Sequence, residues 1–226
     1  NIIKMIKHED TKPFSKQKKE LHFLHSLKEI FNKTKGNKIS FKFILEKLKD
    51  EGLLFLIALT ALPSAIPIPT PPGFTTIVGL PMCFLTVQLI FRQESPWLPE
   101  WILKKQLQLS TFHKGIEKLE PIMNKLTVLL RPRYKRFTTQ KMEKFVGIIA
   151  FLCSVSVALP ILFGNAIPSA AVLIIALGFL YEDGLAVLLG MILGVIGIII
   201  SSSVVIFTFY FGAAALNAIY DKLSLF

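Results

Sequence analysis

Hydrophobic and polar positions along this chain fall into alternating blocks. Residues 14–33 place Leu21, Leu24, Leu27, Ile30 and Phe31 at helical spacing among lysines. Residues 40–50 repeat the pattern, with Ser40 as a predicted N-cap and Phe41, Ile44, Leu45 and Leu48 on one face. Both stretches predict amphipathic helices lying at a membrane surface. Gly52 is read as the turn into an apolar block whose two arms, 53–69 and 74–91, contain no Asp, Glu, Lys, Arg or His. The order then repeats. A polar section carries Ile116, Leu119, Met123, Leu126 and Leu130 as a stripe over 113–130, kinked or restarted at Pro121, and two further apolar arms occupy 145–162 and 167–181. A last apolar run, 185–212, is long enough to span a bilayer with tilt.

Prolines interrupt both apolar blocks at matching places. The first break contains Pro63, Pro67, Pro72 and Gly73, and the second contains Pro160 and Pro168 around Gly164-Asn165. Proline lacks the backbone donor and clashes with the preceding turn, so no unbroken helix is expected through either segment. In hydrocarbon the freed carbonyls require partners from protein or from water in a cavity. The shortened first arm is marginal for a span, which leaves a half-helix, a kinked span and a re-entrant arm open. Laying Ala65-Ile66-Pro67-Ile68 over Ala158-Leu159-Pro160-Ile161 also aligns a preceding amphipathic helix and a following apolar arm, as an internal repeat would. The expected fold is all-α: a polytopic membrane protein with two proline-broken hairpins, re-entrant or spanning, in a repeated arrangement with surface helices and a C-terminal span. Its segments are 1–51, 52–91, 92–144, 145–183 and 184–226, within one membrane domain.

Charge sharpens this picture. The chain is 52% hydrophobic with mean hydropathy +0.56, yet its net charge is +11. These values conflict in a soluble domain and agree in a membrane protein with basic cytoplasmic segments. Residues 1–50 hold 13 Lys against 6 acids, and residues 92–144 hold 12 Lys and Arg against 5. Both flank the first broken block, which predicts a cytoplasmic N-terminus, an even number of crossings (or none) in that block, and parallel rather than inverted repeats. Trp97 and Trp101 around Pro99 suit an interfacial aromatic belt. No nucleic-acid-binding module accompanies the lysines, so anionic membrane lipid is the expected partner. Cys83 and Cys153 lie in apolar segments and are expected to be reduced. The first fifty residues lack the apolar core of a secretory signal.

Candidate chemistry is sparse. Residues 53–91, 145–181 and 184–220 contain no Asp, Glu, Lys, Arg or His, which argues against a proton relay or an enzyme. No phosphate-binding loop, dinucleotide turn or nucleophile elbow is present. Glu182 and Asp183 are read as solvated or helix-capping carboxylates rather than a catalytic pair. His22 and His25 lack further ligands of suitable spacing, so no metal and no cofactor are expected. The polar groups at the breaks are Thr70, Thr75, Thr76, Gln88, Ser156, Asn165 and Ser169. They either cap broken helix ends or, with the prolines and Gly73, line a cavity that receives a headgroup. Arg131, Arg133 and Arg136 form an arginine cluster suited to lipid anchoring or, through guanidinium geometry, to phosphate. Ala186, Gly190, Gly194 and Ser201, with Gly197 nearby, give the last run a face of small residues. That face favours packing within the chain over homo-oligomerisation through Gly190 and Gly194.

At these residues the chain resembles the exopolysaccharide synthesis ExoD family of bacterial membrane proteins. The matching elements are Ala61-Leu62-Pro63-Ser64-Ala65-Ile66-Pro67 with Pro72-Gly73, Gly79-Leu80-Pro81, and Gln88 leading to Pro96-Trp97-Leu98-Pro99. Arg131-Pro132-Arg133, Leu159-Pro160, Gly164-Asn165-Ala166-Ile167-Pro168 and Asp183-Gly184 follow in order, from about residue 38 to about residue 212. Ile161-Leu162-Phe163 departs from the pattern, which carries a further proline after Pro160. The resemblance implies a multi-pass inner-membrane protein that supports surface polysaccharide production beside polysaccharide-assembly proteins. It supplies no catalytic residues. A non-catalytic role in exopolysaccharide synthesis or export is therefore expected; a transporter or flippase for a polyprenyl-phosphate or related lipid is the alternative.

Overall fold

The computed structural model describes residues 38–48, 51–66, 73–93, 96–108, 130–159 and 165–223. The stripes expected at 14–33 and 113–129 lie outside the described residues. In chain order the elements are β1 (Lys38–Ser40), α1 (Phe41–Leu48), α2 (Glu51–Ala65), α3 (Phe74–Ile90), α4 (Glu100–Leu103), β2 (Gln106–Gln108), a 3-10 turn (Lys135–Thr138), α5 (Gln140–Ala158), α6 (Ala166–Leu180) and α7 (Gly184–Leu223). The architecture is helical apart from the short antiparallel β1–β2 pair. Two compact units divide the chain: Asn1–Gly52 with Glu94–Pro132, and Leu53–Gln93 with Arg133–Phe226.

In the first unit, α1 buries Ile44, Leu45 and Leu48 and exposes Lys42 and Glu46, the face that the spacing predicts. Ser40 stands just before α1, and its hydroxyl donates to the Leu103 carbonyl at 3.4 Å. Gly52 does not form the turn expected of it. It lies in the first turn of α2, because the helix already starts at Glu51, an acid suited to a helix N-terminus.

In the second unit the closest packing does not follow the sequence hairpins. It joins α3 to α5 and α6 to α7, the second arm of one block to the first arm of the next. Small residues explain the choice. A Cβ on Gly79 would stand 2.6 Å from the Ala158 backbone, and one on Gly190 would stand 2.7 Å from Ile175. Gly147 beside Ile90 makes α3 and α5 antiparallel, and Gly197 beside Pro168 does the same for α6 and α7. Gly194 faces Cys153, so α5 and α6 of the same chain fill the small-residue face of α7, with Ala186 and Ser201 buried.

Helix ends follow proline stereochemistry. α2 passes Pro63 and stops at Ala65, so the first break begins two residues later than the sequence suggests. Pro63 denies the Leu59 carbonyl its helical donor, a loss the last turn tolerates better than the helix middle. Leu159, immediately before Pro160, is extended at φ −73°, ψ 133°, because the proline ring disfavours the helical region at that position. Pro168 falls in the first turn of α6, where its missing donor has no intrahelical acceptor. Among the described residues one helical stretch, Gly184–Gly212 of α7, is long and apolar enough to cross a membrane; α2, α3 and α6 are shorter apolar helices.

Candidate functional site

The antiparallel registers give the second unit two chemically different ends. At one end the N-termini of α3 and α6 flank the C-terminus of α5. The Thr76 hydroxyl donates to the Ala158 carbonyl at 2.9 Å, and the Asn165 side-chain amide donates to the Leu159 carbonyl at 3.3 Å. These are carbonyls that the end of α5 leaves without intrahelical donors. A polar group from the start of α3 and one from just before α6 therefore both serve the end of α5. Gly73, at φ +84°, takes the left-handed conformation that starts α3 without a side-chain cap. Asn165 also caps α6 without a side-chain bond to that helix. The Ser169 hydroxyl, in a residue with 0% exposure, has no hydrogen-bond partner; the same holds for buried Ser64 at the end of α2. Deeper in the α3–α5 interface the Thr86 hydroxyl donates to Ser154 Oγ at 3.3 Å.

The opposite end is an ionic clasp. Asp183 is fully buried, and Arg133 Nε donates to both its carboxylate oxygens at 3.1 and 3.2 Å. The same carboxylate accepts the Leu185 and Ala186 backbone N–H groups, which makes it the N-cap of α7. Gly184 N–H donates to the Arg133 carbonyl at 2.7 Å, and a Cβ at Gly184 would overlap the Tyr134 carbonyl oxygen. Glu182 and Tyr134 both take left-handed backbone conformations, and Lys135 pairs with Glu182 at 3.0 Å. Arg92 and Glu143 bridge the neighbouring ends of α3 and α5 at 3.8 Å.

The expected site residues distribute unevenly between these ends. Thr76 and Asn165 both reach the end of α5, Pro168 packs on Gly197, and Gly73 has open space beside it at the start of α3, with half-buried Thr75 in the first turn of that helix. Pro63 is exposed in the last turn of α2. Gln88 does not belong with them. It is buried near the far end of α3, where its amide donates to the Phe84 carbonyl. Ser156 donates within its own helix to Leu152. Pro67, Thr70, Pro72, Pro160, His22 and His25 lie outside the described residues. Of the arginines, Arg131 belongs to the first unit, Arg133 is engaged by Asp183, and Arg136 is exposed on the 3-10 turn. Among the described residues no group of three or more His, Cys, Asp or Glu could hold a metal ion. Of the two outcomes expected for Asp183, solvated or helix-capping, it is the cap and not solvated, and its arginine partner was not foreseen. The available signal was an acid beside an apolar helix that must be neutralised if buried.

Comparison with known proteins places this chain in a family. The model of the family described as "Exopolysaccharide synthesis, ExoD" matches residues 23–203. Protein ExoD of Rhizobium meliloti (strain 1021) is 29% identical over 157 residues, covering 68% of this chain and 65% of that protein, just under two thirds of its length. The uncharacterized protein slr1875 of Synechocystis sp. is 26% identical over 179 residues, covering 78% of this chain and 84% of the relative. No solved structure matches the chain.

Proposed function

The chain belongs to the exopolysaccharide synthesis ExoD family, and on that premise we propose that it is an integral, multi-pass protein of the bacterial inner membrane that supports exopolysaccharide synthesis or export without catalysing a reaction. Its N-terminal and middle basic segments face the cytoplasm, the clasp lies at that surface, and both broken hairpins enter the membrane from there. One observation carries this reading. The helices present apolar side chains outward and place uncharged polar groups, Thr76 and Asn165, at the end of α5, with every described salt bridge of the second unit at the other end. That polarity suits a body seated in a bilayer from its charged side. Deletion should lower exported polymer while sugar transfer in isolated membranes is retained. Loss of sugar transfer in those membranes would overturn the non-catalytic reading.

A second reading, carriage of a lipid-linked phosphate, is favoured by Thr76 and Asn165, which bring a polar side chain from beside each break to the end of α5. Under it, deletion would raise the pool of lipid-linked intermediate on the cytoplasmic side.

A further inference from the structure

Helix α5 carries an exposed face whose polarity changes once along its length. Lys141 and Lys144 stand on it at the clasp end, followed by Phe145, Ile148, Leu152 and Val155, all exposed. Steps of three and four residues keep these side chains on one stripe of a helix with 3.6 residues per turn. Val146, Ala150, Cys153 and Val157 are fully buried on the opposite side, where α5 packs into the second unit. From Phe145 to Val155 the apolar part of the stripe runs about 15 Å at 1.5 Å per residue. One hydrocarbon leaflet is about 15 Å deep, half of a core of roughly 30 Å.

The two lysines do not serve the fold. The acids at the clasp end are engaged by other cations: Asp183 by Arg133, Glu182 by Lys135 and Glu143 by Arg92. Among the described residues no acid pairs with Lys141 or Lys144. Lys141 lies in the first turn of α5, where a cation opposes the helix dipole and costs stability rather than adding it. Helix α7 gives the contrast. Its Leu189, Ile192, Ile196 and Ile199 form a similar exposed apolar stripe, but that helix follows Glu182 and Asp183 and runs from Gly184 to Gly212 without a lysine. Of these two apolar faces, the one on α5 is headed by cations.

We propose that this face of α5 binds an anionic phospholipid of the adjoining leaflet, with its phosphate on Lys141 and Lys144 and an acyl chain along Phe145, Ile148, Leu152 and Val155. Lysine supplies a point charge on a flexible stem, which follows a phosphate in a fluid layer without demanding one geometry. A lipid whose headgroup carries no cation of its own gains most from the pair, whereas a zwitterionic lipid already neutralises its phosphate. This inference rests on the membrane-embedded reading above. It moves headgroup recognition from the arginine cluster to two lysines on one helix face.

The test uses the full chain in a nonionic detergent, with dioleoyl phosphatidylglycerol and dioleoyl phosphatidylcholine as probes and native mass spectrometry as readout. Phosphatidylglycerol should be retained about tenfold over phosphatidylcholine. Lys141→Gln with Lys144→Gln should abolish that preference and leave thermal unfolding of the lipid-free protein unchanged, and Lys141→Arg with Lys144→Arg should keep it. The control removes two charges elsewhere: Lys42→Gln with Lys104→Gln, whose lysines already pair with Glu46 and Glu100, should keep the preference. Equal retention of the two lipids by the parent would overturn the proposal, as would a preference that survives the glutamine pair on α5. A preference lost equally in the control would overturn it too, since net charge rather than a site would then be read. Earlier unfolding of the lipid-free glutamine variant would make the lysines structural, with the same consequence. Displacement of the lipid by inorganic phosphate would also sink it, because the apolar stripe would then hold nothing. Release of the protein from carbonate-washed membranes would instead defeat the embedded reading, separately from lipid retention in detergent.

Discussion

The clasp and the breaks solve the same problem, the ending of a helix beside other helices, with opposite chemistry. At the clasp a full charge is buried. Asp183 is neutralised by Arg133 while it caps α7, and each partner holds a second element in place. At the breaks the groups are uncharged, and one hydroxyl and one amide complete the end of α5. Removing one member of a buried ion pair strands the other, whereas removing a neutral donor loses one modest bond. The clasp should therefore dominate stability, and the breaks should tolerate change without unfolding.

The largest expected effect tests the clasp. Asp183→Ala should destabilise by about 3 kcal/mol, combining the lost pair with a lost N-cap and allowing for the partial exposure of Arg133. Thermal unfolding in detergent would register it, and a cost near zero would remove the distinction between the ends. Gly184→Ala should cost a similar amount, about 3 kcal/mol, because the added methyl meets the Tyr134 backbone. Gly79→Ala, which pushes α3 from α5 at the break end, should cost about 2 kcal/mol.

Smaller effects sharpen the contrast. Thr76→Val keeps the shape and deletes the donor to Ala158, so about 0.6 kcal/mol is expected, the usual scale for hydrogen bonds between membrane helices. A loss as large as that of Asp183→Ala would make the breaks as rigid as the clasp. Glu182→Gly should fall within about 0.5 kcal/mol of the parent, since relief of a left-handed backbone offsets a partly exposed ion pair with Lys135.

Much of the fold was legible because its signals are local. Apolar arms at 74–91 and 167–181 became helices Phe74–Ile90 and Ala166–Leu180, and the stripe of α1 buries the residues its spacing selects. Proline also predicted where α5 must stop. Partner choice was not legible. Hairpin order suggests that neighbours in sequence pack together, but Gly79 and Gly147 let α3 approach α5 more closely than order alone implies. Gln88 was grouped with the breaks for its polarity, although it stands near the far end of the helix Phe74–Ile90. Asp183 and Arg133 are fifty residues apart, and no periodicity links them.

Depth tests the central claim most directly. Single spin labels placed at Glu182, Leu159 and Phe209 in liposomes can be compared by their accessibility to oxygen and to a water-soluble nickel chelate. The label at Leu159, beside the second break, should favour oxygen most strongly, with Glu182 and Phe209 nearer the two surfaces. A label at Leu159 as open to the nickel chelate as the one at Glu182 would place the breaks at a membrane surface and contradict the account.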